Sequence, residues 1–406
     1  MGDETETSLP SVEVEKVFVT FSQITDWGLR QLNVPETWKV TDGEGMTAMV
    51  IDTGHPVHPD IGDNARRGEN FIEGEPIEDE NGHQSHCTGI ICAKNNDMGM
   101  VGVAPGAKCI SVKALAKNGS GSYAGLAAAL DYAIEVKPDV ISMSLGGSAP
   151  SDAMHSRIKK LYEMDIPVVC AAGNTGKGGV NYPAAYDETI AVAAYDKNGN
   201  IAYFSSRGEK VEWSAPGVGI YSTYLNDGYA SLSGTSMACP FITGVILLML
   251  AKHRKEVELV GGENDCKTVK QIREHLLKYT DDKGAVGRDE DWGYGVIDVE
   301  DLILIGDDEP IKKPVKPIPD PVPTPVPPPA DEPIDPEPPE EPVEPEPIEP
   351  RPPKKEKDNK KWYIIGGVVA FLTLVGVFAV NSCQSEEESS RGYLEDGKNL
   401  RQQNER

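Results

Sequence analysis

Basic residues are in short supply. The chain carries 39 lysines and arginines against 65 aspartates and glutamates, a formal net charge of −26. So acidic a surface repels a phosphate backbone and argues against nucleic acid as a partner. Cysteine is sparse as well. The 406 residues hold seven, an odd number without scaffold-like spacing, so no disulfide framework is expected. Cys92, Cys109 and Cys170 lie in apolar runs, as small buried thiols do, which fits a reducing compartment. From Met1 to Pro10 there is no basic stretch followed by an apolar one, so no secretory signal peptide is expected. Gly2 is not set for myristoylation, because Glu6 stands where that motif needs Ser or Thr.

What is present falls into regimes of composition. An N-terminal extension, 1–22, precedes a globular stretch, 23–305. There, apolar β-type runs (Thr47–Ile51, Cys109–Leu115, Val140–Leu145, Val168–Ala172, Ile190–Ala193) alternate with helical patterns over Gly121–Val136, Asp152–Glu163, Ser236–Lys252 and Thr268–Lys278. The alternation predicts an α/β fold: a mostly parallel central sheet with helices on both faces and reactive groups at the carboxyl ends of its strands.

Beyond residue 305 the chemistry changes. Residues 307–353 hold 20 of the chain's 32 prolines. Proline at that density predicts a disordered, extended polyproline-type spacer, 306–361, whose proline-rich part, 307–353, reaches on the order of 140 Å at full stretch. Nine acids and no base between Asp331 and Pro350 stiffen it by self-repulsion. A spacer is the expected role; binders of its proline motifs are the alternative. Trp362–Val380 is uncharged and apolar, and as a helix spans about 28 Å, enough for one transmembrane pass. Arg351, Lys354, Lys355, Lys357, Lys360 and Lys361 precede it, whereas Glu386, Glu387 and Glu388 follow. That asymmetry predicts a cytoplasmic globular domain and an outward tail, 381–406.

Three islands inside 23–305 carry reactive chemistry. Val50-Ile-Asp-Thr-Gly54 offers the Asp52 carboxylate, His83-Gln-Ser-His-Cys-Thr-Gly89 the His83 imidazole, and Leu232-Ser-Gly-Thr-Ser-Met-Ala-Cys-Pro240 the Ser236 hydroxyl at a helix start. A serine hydroxyl needs an adjacent base, and the base needs an orienting group. In this chain order the set resembles the subtilase family of serine peptidases, over about Gln23 to Leu304. Ile141-Ser-Met-Ser-Leu-Gly-Gly147, Tyr182-Pro-Ala-Ala-Tyr186 and Val168–Asn174 are similar to bacterial subtilisins, the intracellular branch among them.

The resemblance implies an endopeptidase in which Ser236 attacks, His83 takes its proton, Asp52 orients His83 and the Asn174 amide receives the oxyanion. It implies that Gly119, Ser120, Gly121, Ser144, Leu145 and Gly146 pair with an extended polypeptide substrate. Ala171, Ala172, Gly173 and Asn181 would line the main specificity pocket, whose lack of an acid disfavours strict cleavage after Arg or Lys. A calcium site is implied at Gln23, Asp60, Asn96 and the backbone of Lys94, Met98 and Met100. His55, His58, His83 and His86 form two His-x-x-His pairs that could suggest zinc, but each pair falls inside a family motif. His86 is expected to be structural, and Cys87, one turn after His83, a packed thiol. Gln84 departs from the family's glycine, which bears on the start of that helix and on substrate access. Residues 1–22 resemble the short extension of the intracellular branch, implying a removable inhibitory leader. A scaffold with a dead cleft that binds partners through the proline arm is the competing reading. A lipase or esterase would want Gly-x-Ser-x-Gly where this chain has Gly234-Thr-Ser-Met-Ala238.

Overall fold

Strand β3 (Thr47–Asp52) shows how the interior is divided. Ala48 and Val50 belong to one hydrophobic cluster, Met49 and Ile51 to another, so alternate residues of one strand feed two cores. The computed structural model describes residues 6–10, 13–18, 22–261 and 266–305, all within the compact unit Met1–Val326. The proposed spacer, the Trp362–Val380 span and the tail lie outside the described residues.

In chain order the elements that build the site are β1 (Glu6–Ser8), β2 (Glu13–Phe18), β3, β4 (Ala65–Asn70), α1 (His83–Cys92), β5 (Lys108–Lys113) and β6 (Ser120–Ser122). They continue with α2 (Tyr123–Val136), β7 (Val140–Met143), α3 (Asp152–Glu163), β8 (Val168–Ala171), β9 (Ile190–Tyr195) and β10 (Val211–Pro216). The last are β11 (Ile220–Thr223), β12 (Tyr229–Ser233), α4 (Thr235–Val260) and α5 (Val269–Lys278). Seven strands form the main sheet, ordered β10-β9-β8-β7-β3-β5-β4 and parallel throughout. Residues of α1 and α4 belong to the core on one face, those of α2 and α3 to the core on the other. This is the expected α/β architecture. Strand order turns back around β3, which lies between β5 and β7; such a switch point opens a crevice at the carboxyl ends of the strands.

Two boundaries move for local reasons. The helix expected from Gly121 starts at Tyr123, because Ser122 caps it by accepting the Gly125 N–H and residues 120–122 pair as β6 instead. Strand β7 stops at Met143, which releases Ser144–Gly146 from the sheet.

Helix α4 is long and apolar enough to cross a membrane, the one such helix among the described residues, yet its apolar stretch is buried in the protein core. Pro240 interrupts its first turns. Lacking an N–H, Pro240 cannot bond the carbonyl four residues back, which is that of Ser236. The freed Ser236 carbonyl accepts the Ser144 hydroxyl at 2.9 Å and the Cys87 thiol at 3.4 Å instead.

Candidate active site

Asp52 closes β3, His83 opens α1 and Ser236 lies in the first turn of α4; all three are buried. The His83 Nδ1–H donates to the Asp52 carboxylate, 2.9 Å from each oxygen, and Asp52 Oδ1 also accepts the Thr53 N–H at 2.7 Å. A carboxylate at Nδ1 fixes the tautomer and leaves Nε2 as the basic lone pair. His83 Nε2 is buried without a hydrogen-bond partner among the described residues. Burial opposes protonation of His83, but the Asp52 carboxylate and the Cys87 sulfur beside it together outweigh that and hold the imidazole pKa well above its ordinary value. The Ser236 hydroxyl donates to the Ser144 carbonyl at 3.2 Å.

Asn174 is fixed by its oxygen. Oδ1 accepts both the backbone N–H and the hydroxyl of Thr235, each at 2.9 Å, which assigns the amide's orientation and turns its NH2 group away from Thr235. Thr235 Oγ1 also accepts the Gly173 N–H at 3.1 Å, so one threonine ties this loop to the start of α4. Gly173 has φ +110° and no room for a side chain, since a Cβ would sit 2.9 Å from Asn181 Nδ2. Asn181 donates its N–H to the Ala172 carbonyl, and a Cβ on Gly146 would lie 3.0 Å from the Asn181 Cβ. The structure thus brings Gly146, Ala172, Gly173 and Asn181 next to one another.

Gln84 does not point at the cleft. Its side chain is buried, accepting the Gly54 N–H at 2.7 Å through Oε1 and donating to the Val50 carbonyl at 3.3 Å through Nε2. It therefore grips the strand end that carries Asp52. Two neighbours in this scaffold were not singled out from the sequence. Asp79 accepts the N–H groups of Asn81, Gly82 and Ser85 and the hydroxyls of Thr53 and Ser85, so a remote carboxylate caps α1, whose own N-cap is Gly82. Lys113, fully buried and opposite Asp52 in the sheet, donates to the Thr53 carbonyl at 2.6 Å and pairs with Glu75 at 3.2 Å. The acidic turn Glu78-Asp-Glu-Asn-Gly82 ahead of His83 was the legible signal for Asp79; nothing local marks Lys113.

The other histidines of the two His-x-x-His pairs, His55, His58 and His86, do not converge. His86 Nε2 lies 3.0 and 3.1 Å from the Ile220 and Ala230 carbonyls, His58 Nε2 lies 3.0 Å from the Gly228 carbonyl, and His55 Nδ1 lies 3.3 Å from Ser111 Oγ. Burial presses the His86 pKa down to about 3, so it stays neutral and fastens α1 to β11 and β12. The Cys87 thiol lies 3.8 Å from His83 Nδ1, and burial raises its pKa. The six described cysteines are buried, and none is in a disulfide.

The cation-site candidates also meet. Asp60 is fully buried; its Oδ2 accepts the Met100 N–H at 2.7 Å while Oδ1 has no hydrogen-bond partner among the described residues. The Lys94 N–H donates to the Asp60 carbonyl, and Asn96 Oδ1 accepts the Met98 N–H. Gln23 docks on the same loop, but its oxygen accepts the N–H groups of Asn96 and Asp97. The oxygen-rich set with an orphaned buried carboxylate oxygen fits a hard cation, provided the Gln23 amide swings its oxygen off those donors.

The N-terminal extension reaches this region too. Strand β1 pairs antiparallel with β6, setting Glu6, Thr7 and Ser8 against Ser122, Gly121 and Ser120. Ser8 and Gly146 exchange both backbone hydrogen bonds, and the Leu9 N–H donates to the Gly119 carbonyl at 2.9 Å. Strand β2 then runs antiparallel to β12, which leads into Gly234 and Ser236.

The subtilase family model matches residues 43–295, more than half of the chain. The chain belongs to the subtilase family. Among its relatives is a thermostable alkaline protease of Halalkalibacterium halodurans, 44% identical over 237 residues, 58% of this chain and 65% of that protein. A minor extracellular protease of Bacillus subtilis is 39% identical over 281 residues, covering 68% of this chain and 42% of that protein. Subtilisin Savinase of Lederbergia lenta is 37% identical over 281 residues, 69% of this chain and 98% of that protein. The chain thus spans under two thirds of the first two relatives (65% and 42%) and nearly all of the third (98%). Its Asp, His and Ser islands lie inside the matched region.

Proposed function

We propose that this subtilase is a serine endopeptidase whose chemistry is carried by Asp52, His83, Ser236 and Asn174. The observation that carries the reading is the His83 imidazole, oriented by the Asp52 carboxylate and buried with its Nε2 unbonded, in the same site as a serine at a helix start. When substrate binds, Ser236 gives its proton to His83 Nε2 and attacks the scissile carbonyl; Asp52 stabilises the imidazolium. The Asn174 NH2 and the first N–H groups of α4 stabilise the oxyanion. His83 then protonates the leaving amine, and water releases the acyl group by the same route in reverse. Gly119–Gly121 and Ser144–Gly146 hold an unfolded polypeptide as an added strand, with Ala171–Gly173 and Asn181 around the main side-chain pocket. Reaction of Ser236 with a fluorophosphonate, and its loss in Ser236→Ala, tests this and separates it from a scaffold with a dead cleft.

Three finer statements belong to the same proposal. Calcium braces the loop 94–100 through Asp60, Asn96, Gln23 and the Lys94, Met98 and Met100 carbonyls, as the buried, unbonded Asp60 Oδ1 favours. Residues 1–22 inhibit their own cleft, supported by the pairing of β1 with the same edges assigned to substrate. Pro10 follows Leu9 with no N–H to offer the Ser144 carbonyl, which takes the Ser236 hydroxyl instead, so the nucleophile's proton is directed away from its base. Finally, Trp362–Val380 tethers the enzyme to a membrane through the proline-rich spacer, with the catalytic domain on the cytoplasmic side, as the basic flank 351–361 favours. Partners of the spacer's proline motifs would be recruited there.

A further inference from the structure

Far from the cleft, three side chains come together that neither peptide hydrolysis nor the calcium loop uses. His253 lies near the end of α4, His275 in the last turn of α5, and Cys266 between those helices. One ligand atom from each lies within 4.8 Å of the other two; His253 and Cys266 are buried and His275 is partly so. The imidazole rings meet edge to face, centroids 4.7 Å apart. Glu256, one turn on from His253, places a carboxylate oxygen 3.7 Å from His253 Nδ1 on the exposed rim of the cluster.

We propose that His253, Cys266 and His275 bind a structural zinc ion, with Glu256 as the fourth ligand or as the acid that orients His253. The donor set decides the metal class. A thiolate with two imidazoles suits zinc or cobalt and not calcium, whose ligands are oxygens. Geometry allows it: bonds of about 2.0–2.3 Å from a tetrahedral ion put donor atoms about 3.4–3.6 Å apart, so shifts of about 1 Å close the present cluster. Glu256 also supplies negative charge against Lys252, whose Nζ lies 3.9 Å from the same carboxylate. Burial gives the metal a dry shell.

The ion would not serve the reaction. His253 lies 17 residues along α4 from Ser236, about 25 Å at helical rise. What it would do is cross-link the end of the helix that begins with the nucleophile to α5, which Arg273 in turn anchors to Glu212 of β10 through a buried ion pair at 2.8 Å. Binding of zinc to the folded chain adds to its stability.

The experiment uses the full chain carrying Ser236→Ala, which stops self-digestion, kept in excess calcium so that the oxygen site is satisfied. After exchange into zinc and gel filtration, one equivalent should remain by elemental analysis. Cobalt in its place should give the thiolate-to-cobalt charge-transfer band and the visible bands of a tetrahedral ion. Cys266→Ala and His275→Ala should lose at least nine tenths of the bound metal with unchanged circular dichroism. A selective zinc chelator should lower the thermal midpoint of the parent and leave that of Cys266→Ala unmoved. The absence of a thiolate band in the unmutated cluster would overturn the proposal, whatever the fate of the variants, as would zinc retained by both of them.

Discussion

His83 concentrates the electrostatics of the site in one ring. Burial lowers its proton affinity, Asp52 and the neighbouring Cys87 raise it, and together those two prevail. Because catalysis needs the neutral ring, a raised pKa means that activity is lost as pH falls through a midpoint above the ordinary imidazole value of 6.5. We expect the acid limb of kcat/KM to lie above that value and to move down in Asp52→Asn, along with a large fall in rate; a limb that stays in place would contradict the assignment. Gln84 acts on the same ring indirectly. Its amide satisfies Gly54 N–H and Val50 C=O, both in the strand end that presents Asp52. Truncation in Gln84→Ala strands buried polar groups, so urea unfolding should show a loss of about 2 kcal/mol. Family resemblance flagged Gln84 as a departure, but the sequence could not say where its side chain pointed. A glutamine at a helix start can face solvent or strand, and packing against β3 decides.

At the scale of elements, the long periodic segments were legible and the short pairings were not. Strands β3, β7, β8 and β9 and helices α2, α3 and α5 lie where apolar runs and helical spacing put them, within two residues, and α4 starts there too but runs eight residues past Lys252 to Val260. They bury enough apolar surface for the pattern to dominate. Strands β1 and β6 have three residues each and depend on a partner distant in sequence, so no local period announces them. The leader prediction belongs here. If β1 occupies the edges that substrate needs, deleting residues 1–22 should raise kcat/KM toward a short peptide by about an order of magnitude or more, because the free cleft is no longer a minor state. Equal activity with and without the leader would rule out inhibition. Of the candidate residues, sequence order picked out Asp52, His83 and Ser236 without any structural knowledge. Asp79 had a local signal, the acidic turn it shares with the start of α1, whereas Lys113 escaped because its role is set by a strand partner distant in sequence.

For the whole molecule, the family placement covers residues 43–295, and the architecture follows from a parallel sheet buried on both faces. The long apolar helix α4 illustrates the limit of hydropathy alone: it passes as a membrane span by composition, yet forms the centre of one core. Trp362–Val380 differs in its flanks, with lysines before and glutamates after. We expect the full chain to resist alkaline carbonate extraction from membranes and a chain ending before Trp362 to be released by it; equal release would dismiss the tether.

The central claim, that Ser236 is an activated nucleophile cutting polypeptides, is most directly tested by fluorophosphonate labelling with the leader removed. The account predicts stoichiometric attachment at Ser236, none in Ser236→Ala, sharply slowed attachment in His83→Ala, and loss of cleavage of an unfolded polypeptide in step with labelling. A folded protein that neither takes the label nor cuts the polypeptide, or one that cuts equally well as Ser236→Ala, would contradict it.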